Sequence, residues 1–455
     1  MELKELKSVI NTPVRRKALK EVLSDKKIKH IALTGLEGSA TAFALCNLLD
    51  WGKHTIIVAS NNDVAGYLYH DLLQLEGEQR VAFLPSGYKR NIKYGQIDAP
   101  SGIMRTDVLN RLKLKEPLLV VTYPEAIAEK VVQEKVLEQN TLHISCKESI
   151  DITFAANILR EYGFARVDYV YEPGQYAVRG SILDVFSYSI EYPYRIDFFG
   201  DDIESIRSFD VDSQLSRDKL EEVYIIPNVC NRVEEGVSLL EFIDNNTLFV
   251  FDDLSYTIDK LTELSKETLS EQALVTEDVD VNAMQKIVDT ETFIRRLMGF
   301  RRIEYGKHTL ETPQASIAYN CSLQGIYHKN FDLVSEAFDK YLQQGYKLYI
   351  TSDNEKQTDR LRDIFADRGD NIAFTPILHT IHTGFVDNDI KVCCFTDHQI
   401  FDRFHKYNLK SDRARSGKMA LSLRELKQIE VGDYLVHIDH GIGQFGGLTL
   451  TEIAG

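Results

Sequence analysis

Residues 172–209 read EPGQYAVRGSILDVFSYSIEYPYRIDFFGDDIESIRSF, and their alternation decides the local fold. Tyr176 and Val178, then Ile182, Asp184 and Phe186, fall at period two. Tyr194, Ile196 and Phe198 share one face, and Arg195, Asp197 and Phe199 share the other. Period two with β-branched and aromatic residues predicts strands. Pro173-Gly174 and Gly200-Asp201-Asp202 supply the turns between runs. The expected unit is a small antiparallel sheet with strands at 175–178, 181–186, 194–199 and 203–209.

Arg179, Arg195 and Phe199 lie on strands or strand ends of this meander. Two readings are open. The arginines pair with Asp184, Asp197 or Glu204 on a solvated face, where such pairs are weak. Or two guanidiniums beside an aromatic form a recognition patch, because Arg and aromatic residues supply most interface hot-spot energy.

YAVRGSILDVF followed by YRIDFFGDDIESIRSFDVDSQLS resembles the second domain of the bacterial transcription-repair coupling factors, an element they share with the excision-repair helicase UvrB. The resemblance implies a docking site for the damage-recognition ATPase UvrA. The arginine of VRG and the arginine and second phenylalanine of YRIDFF would carry it, here Arg179, Arg195 and Phe199. It favours recognition over simple pairing.

Outward from this stretch, the bulk numbers set bounds. The 455 residues suggest about three domains. A hydrophobic share of 44% can fill proper cores. No apolar run reaches membrane-spanning length, and the first residues lack the apolar core of a signal peptide. No membrane partner is expected. Cys46, Cys146, Cys230, Cys321, Cys393 and Cys394 are scattered without metal spacing. Adjacent Cys393-Cys394, in the apolar run KVCCF, reads as buried free thiols, and the pattern implies a reducing cytoplasm and no structural zinc. A net charge of −16 excludes general nucleic-acid binding by bulk electrostatics.

Before the sheet, residues 1–25 carry the helical stripe Leu3, Leu6, Val9 and Ile10. Apolar strands at 30–33, 55–59, 81–84 and 118–122 then alternate with helices at 38–49, 64–75 and 105–112. This predicts a parallel sheet covered on both faces. The first strand–turn–helix, LTGLEGSATAF, sits where a phosphate loop belongs. Gly35, Gly38 and Ser39 are present, but Ala40, Thr41 and Ala42 stand at the last glycine, the lysine and the Mg²⁺-binding hydroxyl. The loop is therefore read as degenerate, left at most with backbone amides at 38–40 that hold an anion. Residues 84–104 form a polar loop with Lys89, Arg90, Lys93, Tyr88 and Tyr94. It is read as a surface loop, too short for the DNA-clamping hairpin of UvrB, with single-stranded DNA contact as the alternative.

After a helix at 152–161 ended by Gly163, the chain returns to the first domain. LFVFDDL gives a buried strand ending in Asp252-Asp253, read as non-catalytic for want of a partner loop, and 256–297 is read as helical. A further α/β unit spans 325–412. Its helical stripe of Phe331, Val334, Phe338, Tyr341 and Leu342 stops at Gly345. Ser352 and Glu355 are read there as a capping box, and Gly384-Phe385 and Phe404 as loop residues. Residues 410–430, with Arg413, Arg415 and Lys418, read as a basic linker. The end, VGDYLVHIDHGIGQFGGLTLTEIAG, alternates Tyr434, Val436 and Ile438 between bent, glycine-rich segments. It resembles the start of the Tudor-like, CarD-type polymerase-binding barrel. His437 and His440 beside Asp439 form only a weak acid–base or metal pattern. About two strands precede Gly455, too few to close a barrel, so a truncated chain is expected.

The fold class expected is multidomain α/β. A degenerate P-loop (RecA/UvrB-like) parallel sheet spans 1–136 and 224–322. Inserted in it is the small docking domain, 137–223. Then come the α/β domain at 325–412, a linker at 413–430 and the barrel start at 431–455. The resemblance implies that UvrA and RNA polymerase are partners. It places double-stranded DNA, ATP and Mg on a motor beyond residue 455, so no cofactor and no turnover are expected of this chain. The other function weighed is a UvrB-type helicase component acting on damaged DNA. It needs the intact phosphate loop and long hairpin that the sequence lacks.

Overall fold

The computed structural model describes residues 2–139, 141–146, 148–188, 190, 192–211, 213–227, 236–275, 279–403, 432, 434–437 and 441–444. The chain divides into two units, 1–407 and 408–455.

In the first unit the buried apolar runs form a seven-stranded, wholly parallel sheet. Its order is Ala315–Ala318, His30–Thr34, Arg301–Glu304, Leu248–Phe251, Thr55–Val58, Leu119–Thr122 and Val81–Phe83. The central strands Thr55–Val58, Leu119–Thr122 and Leu248–Phe251 are buried at every residue, as continuous apolar strands between helices must be. Early strands pair with strands from beyond residue 247, so the chain leaves this sheet and returns to it.

Between the two passes lies a six-stranded sheet in the order Ser216–Leu220, Asp202–Phe209, Tyr194–Phe199, Ile182–Val185, Gln175–Arg179 and Ala165–Arg166. All its pairings are antiparallel except the last. Helix Ile152–Glu161 covers one face, burying Ala155 and Leu159 against Tyr176, Leu183, Val185, Ile196, Phe198 and Ile206. Asp151 starts that helix, its side chain accepting from the Phe154 amide at 2.7 Å.

A third sheet runs Cys321–Leu323, Phe385–Asp387, Val392–Thr396, Lys347–Ser352 and Thr375–Leu378, with helices Phe331–Gln343 and Glu355–Asp367. The expected capping box is absent. Asn354 caps the second helix, accepting from the Lys356 amide at 3.0 Å. Ser352 ends a strand and donates to Asp397 at 2.7 Å. Phe385 is not in a loop either. It is a fully buried strand residue whose ring lies 5.7 Å from that of Phe43 in the first domain.

The N-terminal stripe forms two helices, Leu3–Ile10 and Pro13–Ser24. They break at Thr12, which caps the second, and Pro13 opens it. Residues 256–297 are less helical than expected: among the described residues, Leu254–Lys266 and Thr290–Leu297 are separated by two short 3₁₀ turns. The described part of the second unit is an antiparallel hairpin, Tyr434–His437 with Gly441–Gln444. Phe404, the 410–430 linker, His440, Asp439 and the side chain of His437 lie outside what is described. No helix among the described residues is long and apolar enough to cross a membrane.

Candidate functional site

Register places the three singled-out residues on one face of the six-stranded sheet. Asp184 lies opposite Arg195, Ile182 opposite both Arg179 and Asp197, and Phe199 closes the hairpin to Asp202. This face is opposite the one that Ile196 and Phe198 bury in the core.

Asp184 is the hub. It is fully buried and accepts from Arg195 Nε at 2.7 Å and Arg195 Nη2 at 2.9 Å, a bidentate fork. Arg179 donates to the same carboxylate. Arg195 is itself only 14% exposed and lies over the Phe209 ring at 4.3 Å. Its remaining donors reach the Gln214 carbonyl at 3.2 Å and the Gln214 side chain at 3.3 Å. The hydrogen bonds to Asp184 raise its pKa further, so it stays charged. Arg179 is more open, 32% exposed, with Tyr169 stacked at 4.7 Å. Asp197 and Arg207 add a second pair on this face. Pairing on a solvated face was one of the two sequence readings. The pairs exist, but their shared carboxylate is out of water, so they hold the arginines in place more firmly than surface pairs do.

Phe199 is different. It is 79% exposed at the tip of a two-residue turn. Gly200, at φ +66°, takes the first central position of that turn, which L residues reach only under strain. A large aromatic held in water on a rigid hairpin, beside anchored guanidiniums, has the composition of an interface hot spot. Two contributors escaped the sequence reading. Tyr169 flanks Arg179 from a loop, and Gln214, at φ +58°, closes the turn that receives Arg195. Neither carries a periodic signal.

The degenerate phosphate loop is closed by the protein itself. The Ser39 amide donates to the Thr383 carbonyl at 3.0 Å, and the Thr383 amide donates back to Ser39 Oγ at 2.9 Å. Ser39 Oγ donates to Asp71 at 2.5 Å, and Asp71 also accepts from the His382 amide at 2.8 Å. The Ala40, Thr41 and Ala42 amides bond to the Glu37, Gly38 and Ser39 carbonyls. Of the amides at residues 38–40 left to hold an anion, those of Ser39 and Ala40 are therefore engaged, and the segment 382–384 lies against the loop. Gly35 is wedged similarly. Its φ is +74°, and a Cβ there would sit 1.9 Å from the Tyr319 carbonyl oxygen. Gly35→Ala is expected to cost about 3 kcal/mol or more of stability, checked by chemical denaturation.

Asp252-Asp253 has a structural role. Asp253 caps helix Leu254–Lys266 by accepting from the Tyr256 amide at 2.8 Å, and burial raises the pKa of Asp252. In the 84–104 loop, Tyr88 is buried and donates to Asp280 at 2.8 Å, and Lys93 pairs with Glu267 at 3.5 Å. Lys89 and Arg90 of its cations are exposed, and half-buried Lys93 also lies over the Tyr94 ring at 5.7 Å. Among the described residues no His/Cys/Asp/Glu group is placed to hold a metal.

Two family models match the chain, the UvrB interaction domain over residues 142–229 and the CarD-like/TRCF RID domain over 429–455. The first covers the sheet face that carries Arg179, Arg195 and Phe199. The chain is 24% identical to the transcription-repair-coupling factor of Bacillus subtilis, over 94% of this chain and 43% of that protein. It is 21% identical to that of Borreliella burgdorferi, over 97% of this chain and 42% of the relative. The Staphylococcus aureus (strain MRSA252) protein is 22% identical over 92% and 42%. The chain thus spans less than half the length of these relatives. Two matched domains and similarity along nearly the whole chain make it similar to the transcription-repair-coupling factors over less than half of their length.

Proposed function

We propose that this chain recruits nucleotide excision repair to stalled RNA polymerase by docking UvrA on the sheet face of Arg179, Arg195 and Phe199. The observation that carries the reading is Phe199, held in water at a rigid hairpin tip inside the matched UvrB interaction domain. The segment 429–455, similar to the CarD-like/TRCF RID domain, begins the contact with polymerase on this reading. ATP, Mg and double-stranded DNA would be handled by a motor outside these residues. The Arg179–Asp184–Arg195 network serves to hold the two guanidiniums in one orientation before UvrA arrives, reducing the entropy lost on docking.

The test is titration of UvrA with the wild-type chain and with Phe199→Ala and Arg179→Ala. Loss of affinity in both variants with retained folding supports the reading. A second expectation concerns the phosphate loop: with Thr41 and Ala42 at the lysine and hydroxyl positions and the Ser39 to Ala42 amides engaged, this chain should not hydrolyse ATP. Release of phosphate above that from a heat-denatured control would contradict it.

A further inference from the structure

A pocket of about 370 Å³ opens where helices Leu3–Ile10 and Pro13–Ser24 approach the turn Cys46–Trp51 and the end of helix Asn62–Glu76. Its charged lining is Lys4, Lys7, Arg16 and Arg80 against Asp50 and Glu76. Four cations against two carboxylates run counter to a chain of net charge −16. One of the carboxylates is already committed. Glu76 is buried, one oxygen meeting Lys7 Nζ and the other Arg80 Nη1 at 3.0 Å. Arg16 and the Lys4 ammonium have no ion-pair partner among the described residues, and both residues are exposed. Asp50 alone offsets them. Lys4 and Lys7 are also three apart on one helix, where like charges repel.

We infer that this pocket binds a small phosphorylated ligand of about mononucleotide size. A dianionic phosphate would relieve the cation excess, and the Arg16 fork matches phosphate oxygens in two-point geometry. The volume lies within the range of small-molecule sites and exceeds what a bare phosphate fills. A concave site recruits a compact ligand better than the convex backbone of a duplex. The inference is independent of UvrA docking and of the closed phosphate loop, since neither contributes a lining residue.

Trp51, the only tryptophan, follows the lining residue Asp50 directly and offers a local readout. Inorganic pyrophosphate, which does not absorb, is titrated into the full chain while Trp51 emission is followed. Adenosine monophosphate and a short DNA duplex are compared by calorimetry. Single-site saturation by pyrophosphate or the nucleotide is expected. The double variant Lys4→Ala/Arg16→Ala should weaken it about tenfold or more, with unchanged thermal melting because both residues are exposed. Tighter binding of the nucleotide than of pyrophosphate would identify a nucleoside phosphate as the ligand. No saturable response to either small ligand, equal binding by the double variant, or binding of the duplex alone would overturn the inference.

Discussion

Arg195→Ala should unfold the small sheet more easily by about 3 kcal/mol, near the lower end of the cost of breaking a buried ion pair. Asp184 is fully buried, and Arg195 supplies two of its hydrogen bonds at 2.7 and 2.9 Å. Without them a buried carboxylate keeps only Arg179. The turn at Gln214, which holds a left-handed backbone, loses both of its hydrogen bonds to Arg195 as well. Arg179→Ala should cost less, about 1 kcal/mol, because the bidentate fork to Arg195 remains. Chemical denaturation of the two variants checks the ranking. Equal stability of both would show that Asp184 is not the anchor described. The ranking also bears on binding assays, since lost UvrA affinity in Arg195→Ala mixes unfolding with docking.

Arg105→Ala should destabilise the first domain strongly, by about 3–5 kcal/mol. Glu129 is buried and accepts from Ser86 Oγ at 2.5 Å and from the Gly87 amide at 3.0 Å, with the Arg105 guanidinium at 3.3 Å. Burial alone pushes the Glu129 carboxyl upward in pKa, and Arg105 opposes that push. Arg105 also donates to the Pro85 and Ala126 carbonyls at 2.8 and 3.1 Å, tying the 84–104 loop to helix Pro124–Ala128. Its loss leaves a buried carboxylate without its cation and two carbonyls without a donor. The double variant Arg105→Met/Glu129→Leu should recover most of the loss, as apolar replacement of a whole buried pair often does. Calorimetric melting of the single and double variants decides the matter, and additive losses would refute the coupling.

The parts of this molecule legible in the sequence are those with local causes. Strand alternation from Gln175 to Phe209 is set by neighbours two residues apart, and helix Ile152–Glu161 starts and ends on its own cap residues. The helix break at Thr12-Pro13 and the Asn354 cap were equally local but were hidden by competing signals. The stripe of Leu3, Leu6 and Ile10 masked the first, and Ser352 masked the second. What the sequence could not reveal depends on distant partners. Closure of the phosphate loop rests on Ser39 meeting Thr383, 344 positions along the chain. The degeneracy of that loop at Ala40, Thr41 and Ala42 was legible, but not the segment that occupies its amides. Likewise Arg179 and Arg195 could be named from their motifs, while the full burial of the Asp184 they share was not legible in the sequence.

The most direct test of the central claim is calorimetric titration of UvrA into wild-type chain and Phe199→Ala, with thermal melting of both. Phe199 is exposed, so its removal should leave the melting temperature in place. The wild type should bind at about −8 kcal/mol or better, and Phe199→Ala should lose about 2 kcal/mol or more of that. Undiminished affinity in Phe199→Ala, or no binding by the wild type, would contradict docking on this face.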